Sequence, residues 1–87
     1  MALVTGAARG LGRAIAVGLA EAGADVAVLD VLPPAETREQ VTSLGRRCHV
    51  IERDLSGLDP HGAREVVEEC AEAFGRFDIL VNNAGII

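Results

Sequence analysis

The sequence predicts an α/β fold: a doubly wound parallel sheet whose strands are joined by helices. Three observations predict it. Four short apolar runs, 2–5, 25–30, 48–52 and 79–81, alternate with three segments of helical spacing. Strands separated by helices pair in parallel, because a parallel neighbour is reached only through a long crossover. The runs are rich in Val, Ile, Leu and Ala, the composition of strands covered on both faces. Glycines punctuate the junctions, with Gly23, Gly45 and Gly75 each placed just beyond a helical segment. For such a chain the expected strand order is 3-2-1-4, with three helices.

Each element has its own justification. Ala2-Leu3-Val4-Thr5 is a buried strand that stops at Gly6. From Leu11 the period changes: Leu11, Ile15 and Leu19 fall four apart, with Ala14, Gly18 and Ala22 beside them. This predicts a helix that lies close on the sheet and ends at Gly23. Asp25 to Asp30 is the second strand. Pro33-Pro34 breaks the chain and opens a polar helix from Ala35 to Leu44. Cys48 to Glu52 alternates more than the other strands, which places it nearer the sheet edge. Asp59-Pro60 is an N-cap followed by proline at the first helical position. Ala63, Val66, Val67, Cys70 and Phe74 then mark one apolar face, and Glu65, Glu68, Glu69 and Glu72 a solvated one. Ile79-Leu80-Val81 is apolar on both sides, as a central strand is, yet nothing follows to pair with its outer side. An open apolar edge is an aggregation hazard. The expectation is therefore an incomplete domain spanning residues 1–87, truncated after the fourth strand.

Composition excludes several functions. The chain has 87 residues, a formal charge of −5 and two aromatic residues, both Phe, so it lacks the basic footprint of a nucleic-acid binder. Its hydrophobic fraction of 49% is too high for a disordered tail. No apolar run reaches the roughly 18 residues of a membrane helix. The first residues have no basic stretch ahead of an apolar one, unlike a signal peptide. Cys48 and Cys70 do not form a C-x-x-C pair and read as small buried thiols in a reducing compartment, which predicts a cytoplasmic protein. His49 and His61 have no Cys, Asp or His at metal-ligand spacing, so no metal is expected. The chain contains no Tyr, no Trp and no Lys. It therefore has no phenol, no amine nucleophile and no lysine base.

The junction after the first strand is the most specific feature. Thr5-Gly6-Ala7-Ala8-Arg9-Gly10-Leu11-Gly12 reads T-G-x-x-x-G-x-G. Gly6 lets the chain leave the strand in a conformation closed to most residues. Gly10 has no Cβ to keep a diphosphate off the backbone, and Gly12 allows the helix to pack tightly. A helix N-terminus offers unpaired N–H groups and partial positive charge to phosphates. The P-loop alternative fails for want of a lysine. Three further features stand in register: Asp30 at the end of the second strand, Asp54-Leu55 after the third, and Asn82-Asn83-Ala84-Gly85 after the fourth. From the residues alone, Asp54 also suits an Asx turn.

With these four motifs the chain resembles the short-chain dehydrogenases/reductases over essentially its whole length. The resemblance implies a Rossmann-type sheet that binds NAD through Gly6, Arg9, Gly10, Leu11, Gly12, Asp30, Asp54, Leu55, Asn82, Ala84 and Gly85. Asp30 would accept the adenosine ribose hydroxyls and repel a 2′-phosphate, favouring NAD over NADP, while the basic Arg9 pulls towards NADP. Asp54 would hold the adenine amino group, and Asn82 would tie neighbouring strands. The implied reaction is hydride transfer between the nicotinamide and a secondary alcohol or ketone, a small hydroxyl or keto compound, in a homo-oligomer. The stretch from Glu36 to Arg47 resembles the branch of 2-deoxy-D-gluconate 3-dehydrogenase and 2-dehydro-3-deoxy-D-gluconate 5-dehydrogenase, which implies a sugar acid. The family's catalytic Ser, Tyr and Lys follow the fourth strand. This chain is thus expected to hold the cofactor-binding part and no catalytic residue, and to be inactive and bind NAD weakly or not at all by itself. The alternative is a stand-alone, non-catalytic dinucleotide-binding or interaction module.

Overall fold

The computed structural model describes residues 1–84. The elements follow in the order β1 (Ala2–Thr5), α1 (Gly10–Glu21), β2 (Val26–Asp30), α2 (Ala35–Ser43), β3 (Cys48–Glu52), α3 (Pro60–Phe74) and β4 (Ile79–Val81). The sheet is parallel throughout, in the order β3-β2-β1-β4. The predicted Rossmann-type topology is therefore present, with β3 at one edge. Boundaries differ from expectation by a residue at the start of α1, the start of β2 and the end of α2, as is usual at element ends.

Alternation along the inner strands divides the core in two. Leu3, Ala27 and Leu29 face α3 and join Ile51, Val66, Cys70 and Phe74. Val4, Val26 and Val28 face the other way and join Ala7, Ala16, Ala20 and Val41 of the α1 and α2 layer. Register keeps the two sets apart: Leu3 pairs with Ala27, and Val4 with Val28. Burial of both faces is what makes β1 and β2 continuous apolar runs.

Two predicted helix faces are corrected. In α1 the buried residues are Gly12, Ala16 and Ala20, whereas Leu11 is 61% exposed and Ile15 and Leu19 are half-buried. The smallest side chains face the sheet because they let the helix axis approach it; the larger ones flank the contact. In α3 the buried stripe is Gly62, Val66, Cys70 and Phe74, and Ala63 and Val67 are exposed. The polar helix α2 is not solvated all round, since Thr37 and Val41 are fully buried. On β4, Ile79 and Leu80 are 45% and 58% exposed.

Candidate functional site

In a parallel sheet every strand points its carboxyl end to the same edge. Thr5 and Gly6 after β1, Asp30 ending β2, Asp54 after β3 and Asn82 after β4 therefore converge there. A cleft of about 750 Å³ opens at this edge, and its lining includes Gly6, Asp30, Asp54, Leu55, Asn82 and Ala84. The order reverses at β1, which has β2 on one side and β4 on the other. Such a reversal leaves a crevice where ligands of open α/β sheets bind. Phe77, Leu80, Val66, Val67 and Ala63 give the cleft an apolar wall.

Of the glycine turn, Thr5 and Gly6 line the cleft, whereas Arg9, Gly10, Leu11 and Gly12 are not among its lining residues. Gly6 and Gly10 have φ of +64° and +59°, a region that favours glycine. A Cβ on Gly10 would meet no protein atom within 4 Å, so its missing side chain leaves open space rather than relieving a clash. The opposite holds at Gly12, where a Cβ would collide with the Gly6 carbonyl oxygen and crowd the Asn83 amide. Arg9 stands at the N-cap of α1 in extended conformation and makes no side-chain cap. The first N–H groups of α1 thus keep their capacity to bind an anion. Arg9, Gly10 and Leu11 are exposed. An open glycine and an uncapped helix start suit a diphosphate, so the residues fit a dinucleotide.

Asp30 is held by two backbone donors: the Ala8 N–H at 2.9 Å and the Leu32 N–H at 3.0 Å. A carboxylate has about four acceptor positions, so hydroxyl donors can still be accommodated. Asp54 accepts from the N–H and the hydroxyl of Ser56, the Asx turn that its residue type also suggested. The Ser56 hydroxyl and N–H hold the Asp54 carboxyl below its ordinary range. It stays ionised at neutral pH and faces the same cleft.

The segment after β4 is bound to the turn. Ala84 N–H donates to the Thr5 hydroxyl at 3.0 Å, and that hydroxyl lies 3.3 Å from Asn82 Oδ1 and 3.4 Å from the Val81 carbonyl. The Thr5 hydroxyl at the end of β1 thus lies within hydrogen-bond reach of the segment that leaves β4. Asn83, part of the predicted motif but not of the expected binding residues, donates from its amide to the Gly6 carbonyl at 3.2 Å. Also missed were Arg13 and Thr37. The Thr37 hydroxyl donates to the Ala7 carbonyl at 2.6 Å, and Arg13 donates to the Ala8 carbonyl. The signal for Asn83 lay in the doubled asparagine; nothing local distinguished Thr37 from its polar neighbours. The predicted Gly85 lies outside the described residues.

His49 lies 2.7 Å from a Glu69 carboxylate oxygen, and His61 is largely exposed. Among the described residues no cluster of His, Cys, Asp or Glu could hold a metal ion, and no helix is long and apolar enough to cross a membrane.

A family model described as short chain dehydrogenase matches residues 1–87. The chain belongs to the short-chain dehydrogenase family. Within the family it is 49% identical to the 2-dehydro-3-deoxy-D-gluconate 5-dehydrogenase of Dickeya dadantii (strain 3937), covering 100% of this chain and 34% of that protein. It is 46% identical to the enzyme of the same name from Escherichia coli (strain K12), again over 100% of this chain and 34% of that protein. This short-chain dehydrogenase chain spans about a third of the length of those relatives. Among solved structures, the carveol dehydrogenase of Mycobacterium avium in complex with NAD superposes with a TM-score of 0.86 at 36% identity, over 97% of this chain and 35% of that one. The acetoin dehydrogenase of Enterobacter cloacae gives 0.87 at 40% identity, over 100% and 36%.

Proposed function

We propose that this chain is the NAD-binding part of a short-chain dehydrogenase that interconverts a secondary alcohol and a ketone. The observation that carries the reading is convergence: Gly6 at the start of the glycine turn, Asp30, Asp54 and Asn82 line one cleft at the strand reversal. Bound NAD supplies the hydride chemistry; the chain's own residues bind and orient it. The N–H groups at the start of α1 take the diphosphate. Asp30 takes the ribose hydroxyls, and Asp54 and Leu55 take the adenine end. Asn82 and Ala84 border the path towards the nicotinamide, with Gly85 proposed to continue it.

NAD is favoured over NADP because the Asp30 carboxylate is anchored by Ala8 and Leu32 and does not swing away from a phosphate. Arg13, the basic residue nearest in sequence to the turn besides Arg9, is engaged with Ala8, Thr37 and Glu36. The relatives named for a deoxy-keto-gluconate support a sugar acid as substrate. The catalytic acid/base lies outside a chain without Tyr or Lys. We place the domain as residues 1–87 of a longer, cytoplasmic homo-oligomer, in keeping with its two free thiols.

Titration with NAD and NADP, followed by amide NMR so that weak binding is measurable, tests the cofactor reading. NAD is expected to shift Gly6 to Gly12, Asp30 and Asn82, with NADP at least about tenfold weaker from like-charge repulsion. Asp30→Ala is expected to erase that difference; unchanged discrimination would remove Asp30 from the ribose. The absence of catalytic residues also suits a stand-alone dinucleotide module. Tight NAD binding by a folded, monodisperse 87-residue chain would favour that second reading.

A further inference from the structure

Three consecutive peptide units of the glycine turn are gripped from behind. In the first, the Gly6 carbonyl accepts from Asn83 and the Ala7 N–H donates to the Leu29 carbonyl at 3.2 Å. In the second, the Ala7 carbonyl accepts from Thr37 and the Ala8 N–H donates to Asp30. In the third, the Ala8 carbonyl accepts from Arg13. A trans peptide is planar and its N–H and C=O point opposite ways. Fixing that carbonyl turns the Arg9 N–H away from Arg13, at the point where α1 begins.

The two residues behind the turn also hold each other. Arg13 Nε donates to the Thr37 hydroxyl at 3.3 Å, and Arg13 Nη1 lies 3.1 Å from a Glu36 carboxylate oxygen. Thr37 is 0% exposed, a buried hydroxyl on an otherwise polar helix. A buried polar group persists where its hydrogen bonds are made, and here both run to the turn system. Glu36 is 75% exposed, so its ion pair is the weakest member. Neither Thr37 nor Arg13 lines the cleft.

We propose that Thr37 and Arg13 are positioning residues that set the glycine turn for a diphosphate, so that α2 governs phosphate affinity from behind. This rests on the dinucleotide reading above. Asp30 shares the Ala7–Ala8 peptide unit with the clip through the Ala8 N–H, but it is also held by the Leu32 N–H, so the ribose end keeps one anchor when the clip is lost. Losing the clip should therefore weaken a diphosphate ligand more than one without a diphosphate.

The test compares ADP-ribose, which carries the diphosphate, with adenosine, which does not, by amide NMR titration of the whole chain. Thr37→Val removes both hydrogen bonds of the hydroxyl and is expected to raise the dissociation constant for ADP-ribose about tenfold, and that for adenosine by no more than about twofold. Thr37→Ser restores the hydroxyl and is expected to restore the ratio. Arg13→Met, at a side chain 28% exposed, reads the same ratio should valine at position 37 prevent folding. Unchanged ADP-ribose binding in both variants would overturn the clip and leave the dinucleotide reading intact. Equal weakening of both ligands would overturn it too, by showing a merely structural role. Failure of the wild-type chain to respond to either ligand would overturn the dinucleotide reading and the clip with it.

Discussion

At Gly12 the fold leaves no room for a methyl group. A Cβ there would strike the Gly6 carbonyl oxygen and lie 2.7 Å from Asn83 Nδ2, the two atoms that bond each other. Backbone cannot yield as a flexible side chain does. Gly12→Ala is therefore expected to destabilise the chain by about 1–3 kcal/mol, in the range of overpacking. Urea unfolding measures it, and a wild-type midpoint would show that the turn yields freely. The glycine motif was legible in the sequence because its spacing is rigidly tied to the βα turn. The partners that crowd it were not, since Asn83 lies far along the chain and only the β1–β4 pairing brings it back.

Among the elements, α3 is the best defined. Asp59 accepts from the Gly62 N–H at 2.7 Å, Pro60 follows it, and Gly75 closes the helix with φ +77°. These signals are local in sequence, so both ends were predictable. Asp59→Ala is expected to cost about 1 kcal/mol, read from the denaturation midpoint with an unchanged slope. No loss would mean that solvent or another group satisfies the first turn. The face of α3 was less legible. Val66 and Val67 are both apolar, but only Val66 enters the core; Val67 is 44% exposed and borders the cleft. Periodicity finds the apolar side of a helix, and tertiary packing chooses which residues within it are covered. The same choice turned α1 onto Gly12, Ala16 and Ala20.

At the scale of the molecule, the sheet is covered unevenly. The α1 and α2 layer closes one face, while the other has α3 over the Leu3, Leu29 and Ile51 side. Leu80, at 58% exposed, and Ile79 remain on an edge strand whose apolar surface meets the cleft wall. Flat apolar edges associate. The 87-residue chain is expected to self-associate as its concentration rises, and Leu80→Lys to shift it towards monomer in sedimentation experiments. Concentration-independent monomer in the wild type would refute this. The thiols of Cys48 and Cys70, both pushed up to about 11 by burial, are not the reactive surface in such experiments.

The order of elements, the parallel sheet and the meeting of four motifs at one edge were determined by the sequence itself. Alternating strands and helices leave every strand pointing the same way, so residues at strand ends must gather on one side. Tertiary structure alone decided which helix faces are buried and that Thr37, Arg13 and Asn83 grip the glycine turn together. Those outcomes depend on packing and on hydrogen bonds between residues distant in sequence. Thr37 looks like any surface threonine until α2 is laid beside α1 and the Ala7 carbonyl comes within reach of its hydroxyl.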